Sequence, residues 1–103
     1  MMVRWIAALL VAYLPALAAA QGQEALNVRS LAATCASCHG TNGRAAEGSA
    51  VPSLAGTPSA QMIAQMAAFK SGTRSATVMH QLSKGYTDAQ IAQLADYFAA
   101  QQR

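Results

Sequence analysis

The chain has 103 residues, 53% of them hydrophobic and 11% charged, with a formal net charge of +3. That length allows one small domain with a modest core, a size at which folds lean on a disulfide, a metal or a large cofactor. No two basic residues are adjacent, and the absence of any basic run argues against a nucleic-acid partner.

In chain order the first segment is Arg4, an apolar run from Trp5 to Leu17, and then Ala18-Ala19-Ala20 ahead of the polar Gln21-Gly22-Gln23-Glu24. A basic start, an apolar stretch and a small-residue exit predict a secretory signal peptide over residues 1–20, with the mature domain at 21–103. The run falls short of the roughly twenty residues of a membrane span and contains Pro15. The mature protein is therefore expected not to span a membrane, with an uncleaved anchor as the alternative. Export would place the domain in an oxidising compartment, the periplasm.

The mature chain predicts an all-α architecture of three main helices joined by loops, with no strand-like alternation and no internal repeat. The first helix is expected over about residues 26–38, where Val28, Leu31, Ala32 and Cys35 follow i, i+3, i+4, i+7 spacing before Gly40 and Gly43 turn the chain. Residues 41–56 form a Gly-, Ser- and Ala-rich loop containing Val51-Pro52-Ser53-Leu54-Ala55-Gly56. The second helix is predicted to take Thr57 as N-cap and Pro58 as its first residue, to bury Met62, Ile63, Met66 and Phe69, and to stop at Lys70-Ser71-Gly72. Residues 73–85 are ambiguous, a short helix over 76–83 being one reading. Thr87-Asp88-Ala89-Gln90 reads as a capping box with Asp88 at the positive end of the helix dipole, and Ile91, Leu94, Ala95 and Phe98 mark the apolar stripe of the last helix.

The pentapeptide Cys35-Ala36-Ser37-Cys38-His39 contains the only two cysteines and matches the C-x-x-C-H attachment pattern of a c-type haem. Two thiols at this spacing add across the vinyl groups as thioethers and the imidazole binds the iron. Positions i, i+3 and i+4 share a helix face, so all three side chains can meet one porphyrin edge. Three other chemistries compete for these residues. A redox dithiol needs a βαβ frame to lower its attacking thiol. Zinc held by Cys35, Cys38, His39 and His80 would require the adjacent Cys38 and His39 to share one tetrahedral ion. A disulfide would close too small a loop to constrain the unfolded chain much. One covalently attached haem c is the favoured cofactor.

The opposite face of the iron calls for a second ligand, and a methionine thioether suits electron transfer because it favours reduced iron. Met62 and Met66 are needed by the apolar side of the second helix, which leaves Met79, in the weakly helical segment, as the candidate. His80 is the alternative ligand, and an open iron position would instead indicate a small-ligand sensor or peroxidase. A ligating imidazole donates its second N–H to a fixed acceptor, and the Pro52 carbonyl is the candidate for His39, against a reading in which Pro52 only shapes a turn. Lys70, Arg74 and Lys84 read as solvated charges, or as cations facing the haem propionates or an acidic partner.

With the C-x-x-C-H motif, the Val-Pro-Ser-Leu-Ala-Gly loop, the Met79 segment and the Tyr97-Phe98 pair in this order, residues 26–100 resemble a class I cytochrome c, and within it single-domain members of the cytochrome c4 group. Ala68-Phe69-Lys70-Ser71-Gly72 and the stretch from Met79 to Asp88 are similar to the cytochrome subunit of flavocytochrome c sulfide dehydrogenase. The wider resemblance implies first and last helices that cross beside the haem, His39 and Met79 as axial ligands and Pro52 as acceptor for the His39 ring. It also implies a periplasmic electron carrier that exchanges electrons with redox protein partners and is not itself an enzyme. The narrower one implies a flavoprotein sulfide dehydrogenase partner. The chain has one haem motif where tandem relatives have two, and no flavin site of its own.

Overall fold

A computed structural model describes the backbone of residues 2–103 and the side chains of residues 16–103, and every regular element within it is helical. Most of the apolar run predicted as a leader therefore falls outside the described side chains. The first helix, α1, spans Met2–Ala33 and continues through the boundary expected after Ala20. Its side chains from residue 16 to 27 are exposed, and Val28 is the first to be partly covered. That projecting arm gives the molecule extents of 67 × 30 × 19 Å. No described helix is long and apolar enough to cross a membrane.

The first helix ends earlier than its apolar spacing predicts. Thr34 turns back on the preceding residues, its N–H and hydroxyl both donating to the Leu31 carbonyl at 3.2 and 2.7 Å, and Cys35 N donates to Ala32 O at 3.1 Å. These tight three-residue bonds close α1, and the chain restarts as the single turn α2, Ala36–His39. Gly40 then takes φ +84, where a Cβ would collide with the Arg44 carbonyl, so only glycine lets the chain turn this sharply after His39. A 3-10 turn at Thr41–Gly43 follows.

The second long helix, α3, spans Ser59–Ser71. Pro58 precedes it in an extended conformation (φ −54, ψ 135) instead of opening it, and no side chain caps this end. The Pro58 carbonyl accepts from Met62 N at 3.1 Å while the Ser59 hydroxyl donates to Asp96 Oδ1 at 2.7 Å, a tertiary tie that replaces the expected Thr57 cap. Met62 is buried and Met66 packs beside it. Ile63, expected inside, is 41% exposed, because it lies about 100° around the helix from Met62. Gly72, left-handed at φ 79, ends α3.

The ambiguous stretch resolves into one helical turn, α4, at Met79–Leu82, continued by a 3-10 turn at Ser83–Gly85. The last helix, α5, spans Asp88–Ala99 with both capping-box bonds formed: Gln90 N donates to Thr87 Oγ1 at 3.1 Å and Thr87 N to Gln90 Oε1 at 2.9 Å. Ile91, Leu94, Ala95 and Phe98 are its buried residues, the stripe its sequence predicts. This helix packs on both α3 and α1, and the core forms where Leu94, Ala95 and Phe98 meet Ala32 and Met62.

Candidate functional site

The turn after α1 gathers the three residues of the motif. His39 N donates to Cys35 O at 2.9 Å and Cys38 N to the same carbonyl at 3.4 Å, so the motif is one hydrogen-bonded turn. Both thiols are free; Cys35 is half-buried and Cys38 exposed. Burial pushes the Cys35 thiol up from its ordinary value, and the hydroxyl of Thr34, 3.9 Å from its sulfur, acts weakly in the other direction. A dithiol redox centre needs the opposite shift, a stabilised thiolate. No group of three or more His, Cys, Asp or Glu side chains converges on a metal position among the described residues, so the four zinc-type ligands do not assemble.

His39 is buried, and its Nδ1 lies 2.6 Å from the Pro52 carbonyl oxygen. A carbonyl only accepts, so Nδ1 carries the proton and donates it, and the lone pair of the neutral ring resides on Nε2. The acceptor is itself held from both sides. Val51 N donates to Ser49 Oγ at 3.1 Å, Ala45 N to Ser53 Oγ at 2.9 Å, and Leu54 N to Gly43 O at 2.7 Å. Met79 opens α4 and is half-buried. α4 leans on α3 while α2 leans on α1, so His39 and Met79 are delivered by separate arms of the fold. Beside Met79, His80 Nδ1 and Ser83 Oγ are buried without a hydrogen-bond partner. Two free thiols at thioether spacing and an imidazole whose free nitrogen is fixed by its own hydrogen bond make a donor set that fits a c-type haem.

Comparison with known proteins decides the family: residues 19–101 match the family Cytochrome c. The chain belongs to the cytochrome c family. Covalently held haem c is the cofactor of that family, and the all-helical architecture is its small class I fold. Among curated proteins, the "Cytochrome subunit of sulfide dehydrogenase" of Chlorobaculum tepidum is 40% identical over 68 residues, 66% of this chain and 60% of that protein. The "Thiosulfate dehydrogenase electron acceptor" of Thiomonas intermedia is 35% identical over 68 residues, 66% of this chain and 31% of that protein. "Cytochrome c-552" of Acidithiobacillus ferridurans is 38% identical over 66 residues, 64% of this chain and 28% of that protein. The matched region thus spans less than two thirds of each relative, and under one third of the last two.

Several contacts of this cytochrome c were not readable from sequence. Tyr86 OH lies 2.9 Å from Thr34 Oγ1, and Tyr97 OH donates to Asn42 Oδ1 at 2.7 Å. Lys70 and Arg74, read as solvated or propionate-facing, have partners within the protein. Lys70 Nζ donates to Tyr86 O at 2.5 Å and lies 3.6 Å from Asp88, and the Arg74 guanidinium sits 4.8 Å above the Phe69 ring. No local signal in the sequence points to the tyrosine pairs, which join residues 52 and 55 positions apart.

Proposed function

We propose that this chain is a periplasmic cytochrome c holding one haem and carrying one electron at a time between protein partners. In this reading Cys35 and Cys38 would anchor the haem, His39 and Met79 would bind its iron, and Pro52 would orient the His39 ring. The observation that carries it is the 2.6 Å contact between His39 Nδ1 and the Pro52 carbonyl, one residue after the second free thiol of the motif. Such a bond fixes the ring's rotation and raises the basicity of Nε2. The haem, when attached, supplies one-electron Fe(III)/Fe(II) chemistry. Everything else is done by the chain: Cys35 and Cys38 fix position, the Pro52 carbonyl fixes orientation, and the Met79 thioether favours the reduced state.

Cleavage after Ala20 is supported by the exposed side chains of residues 16–27, whose removal in part takes nothing from the core, and by a family match that starts at residue 19. Electron carriers exchange partners through small, quickly released contacts. A second reading, the haem subunit of a flavoprotein sulfide dehydrogenase, draws on the 40% identity to the Chlorobaculum tepidum protein of that name. Two measurements test the proposal. The intact mass of the exported protein should equal residues 21–103 plus one haem, and the ferric protein should show the far-red absorbance of a Met–iron bond. An apoprotein mass would refute haem attachment and the carrier with it, whereas a missing band with ready carbon monoxide binding by the ferrous form would replace the carrier with an open-site sensor or peroxidase. Co-purification of a stoichiometric flavoprotein from the native host would decide for the subunit.

A further inference from the structure

The segment that carries Met79 leaves α3 at Gly72 and rejoins the body at α5, and little along it holds it down. Arg74 N returns to Ala68 O at 3.1 Å near its start. Beyond that, Val78 and Leu82 are 51% and 52% exposed, and His80 Nδ1 and Ser83 Oγ are buried without partners. Among the long helices, α4 and the 3-10 turn after it rest mainly on α3.

The far end of the segment is different, and Tyr86 makes it so. Its carbonyl accepts from Lys70 Nζ at 2.5 Å, its N–H donates to Ser83 O at 3.3 Å, and its ring packs on the core. Its hydroxyl reaches Thr34 Oγ1 at 2.9 Å, across 52 residues of chain. The direction of that bond follows from the Thr34 hydroxyl, which has one proton and donates it to Leu31 O at 2.7 Å. Thr34 therefore accepts, and Tyr86 donates. The accepting oxygen lies 3.9 Å from the Cys35 sulfur.

We propose that the Tyr86–Thr34 hydrogen bond latches the Met79 segment to the turn that carries Cys35, making Tyr86 a positioning residue for the Met79 thioether. The inference rests on the reading of Met79 as an axial ligand. Opening of the whole segment away from the haem side breaks this bond, the one side-chain hydrogen bond from residues 73–86 to α1 or its following turn among the described residues. A single net hydrogen bond changes an opening equilibrium by about three- to tenfold.

The test uses haem-loaded, full-length protein with imidazole as a competitor for the ferric iron, followed by loss of the far-red Met–iron band. Tyr86→Phe should lower the imidazole concentration at half-displacement about three- to tenfold, with the mass of the attached haem unchanged. Thr34→Val, which also removes the back-bond to Leu31 O, should give at least that shift, the double variant none beyond Thr34→Val, and Thr34→Ser should behave as wild type. Tyr97→Phe removes a comparable hydroxyl bond, from α5 to Asn42, and should leave the midpoint in place. If Tyr97→Phe shifts it equally, the effect is general destabilisation and the latch is wrong. An unmoved midpoint in Tyr86→Phe, or in Thr34→Val should the first variant not fold, also overturns it. A wild type without the far-red band defeats the Met79 reading itself, and the latch with it.

Discussion

Gly43 combines two separate requirements for glycine, and they can be pulled apart. Its φ is +78, and a Cβ there would lie 2.7 Å from Phe98 Cδ1 and 2.9 Å from Ala55 N. Gly48 has almost the same φ, +77, but nothing within 4 Å of its virtual Cβ. Alanine at either position meets the left-handed penalty of about 1–2 kcal/mol, whereas only Gly43→Ala adds an overpacking cost of about 1–3 kcal/mol. Urea unfolding of the haem-loaded variants should therefore rank Gly43→Ala well below Gly48→Ala. Equal losses would mean that Phe98 moves aside freely. The consequence reaches the proposed haem ligand, because the Gly43 carbonyl accepts from both Leu54 N and Ala55 N at 2.7 and 3.1 Å, just after the residue whose carbonyl meets His39. Asn42 beside it is also left-handed, at φ 54, a conformation asparagine tolerates better than most residues.

Among the elements, α5 carries its own start signal, and its cap is open to direct measurement. Thr87→Ala removes the acceptor of Gln90 N and should cost about 1 kcal/mol in urea unfolding; no change would mean that packing on α3 and α1 sets this end by itself. The same helix was legible throughout, since cap and stripe lie within twelve residues of sequence and each uses local spacing. The break between α1 and α2 was not legible, because the apolar spacing runs straight through Thr34 and the tight back-bonds of Thr34 and Cys35 end the helix. The start of α3 slipped by one residue for a related reason: Ser59 bonds Asp96 on α5, and no local rule anticipates a partner so far along the chain. At the site, the C-x-x-C-H turn and the Pro52 acceptor could be read from residue types and their chemistry. Tyr86–Thr34 and Tyr97–Asn42 could not, since side-chain pairs 52 and 55 residues apart leave no periodic trace.

For the molecule as a whole, the size of the core sets the stability question. Among the described side chains the buried apolar residues are Ala32, Ala55, Met62, Ile91, Leu94, Ala95 and Phe98, three of them alanines. Phe98 is the one large apolar side chain among these described residues that is fully buried. Alanine burial contributes little beyond backbone contact, and each larger aliphatic or aromatic side chain contributes about 1.5–3 kcal/mol, against an ordering cost of about 1–2 kcal/mol for every backbone residue fixed. A domain of this length with such a core sits near the limit of independent folding. An attached planar group would add apolar contact to both the Cys35 turn and the Met79 segment, the two parts that otherwise lean on different helices. The chain in which Cys35→Ala and Cys38→Ala prevent attachment should accordingly lose the cooperative urea transition of the wild type and show a broad, shallow loss of helix signal. A cooperative transition at the wild-type midpoint in that double variant would show that α1, α3 and α5 suffice, and that the covalent group is carried by the fold without stabilising it.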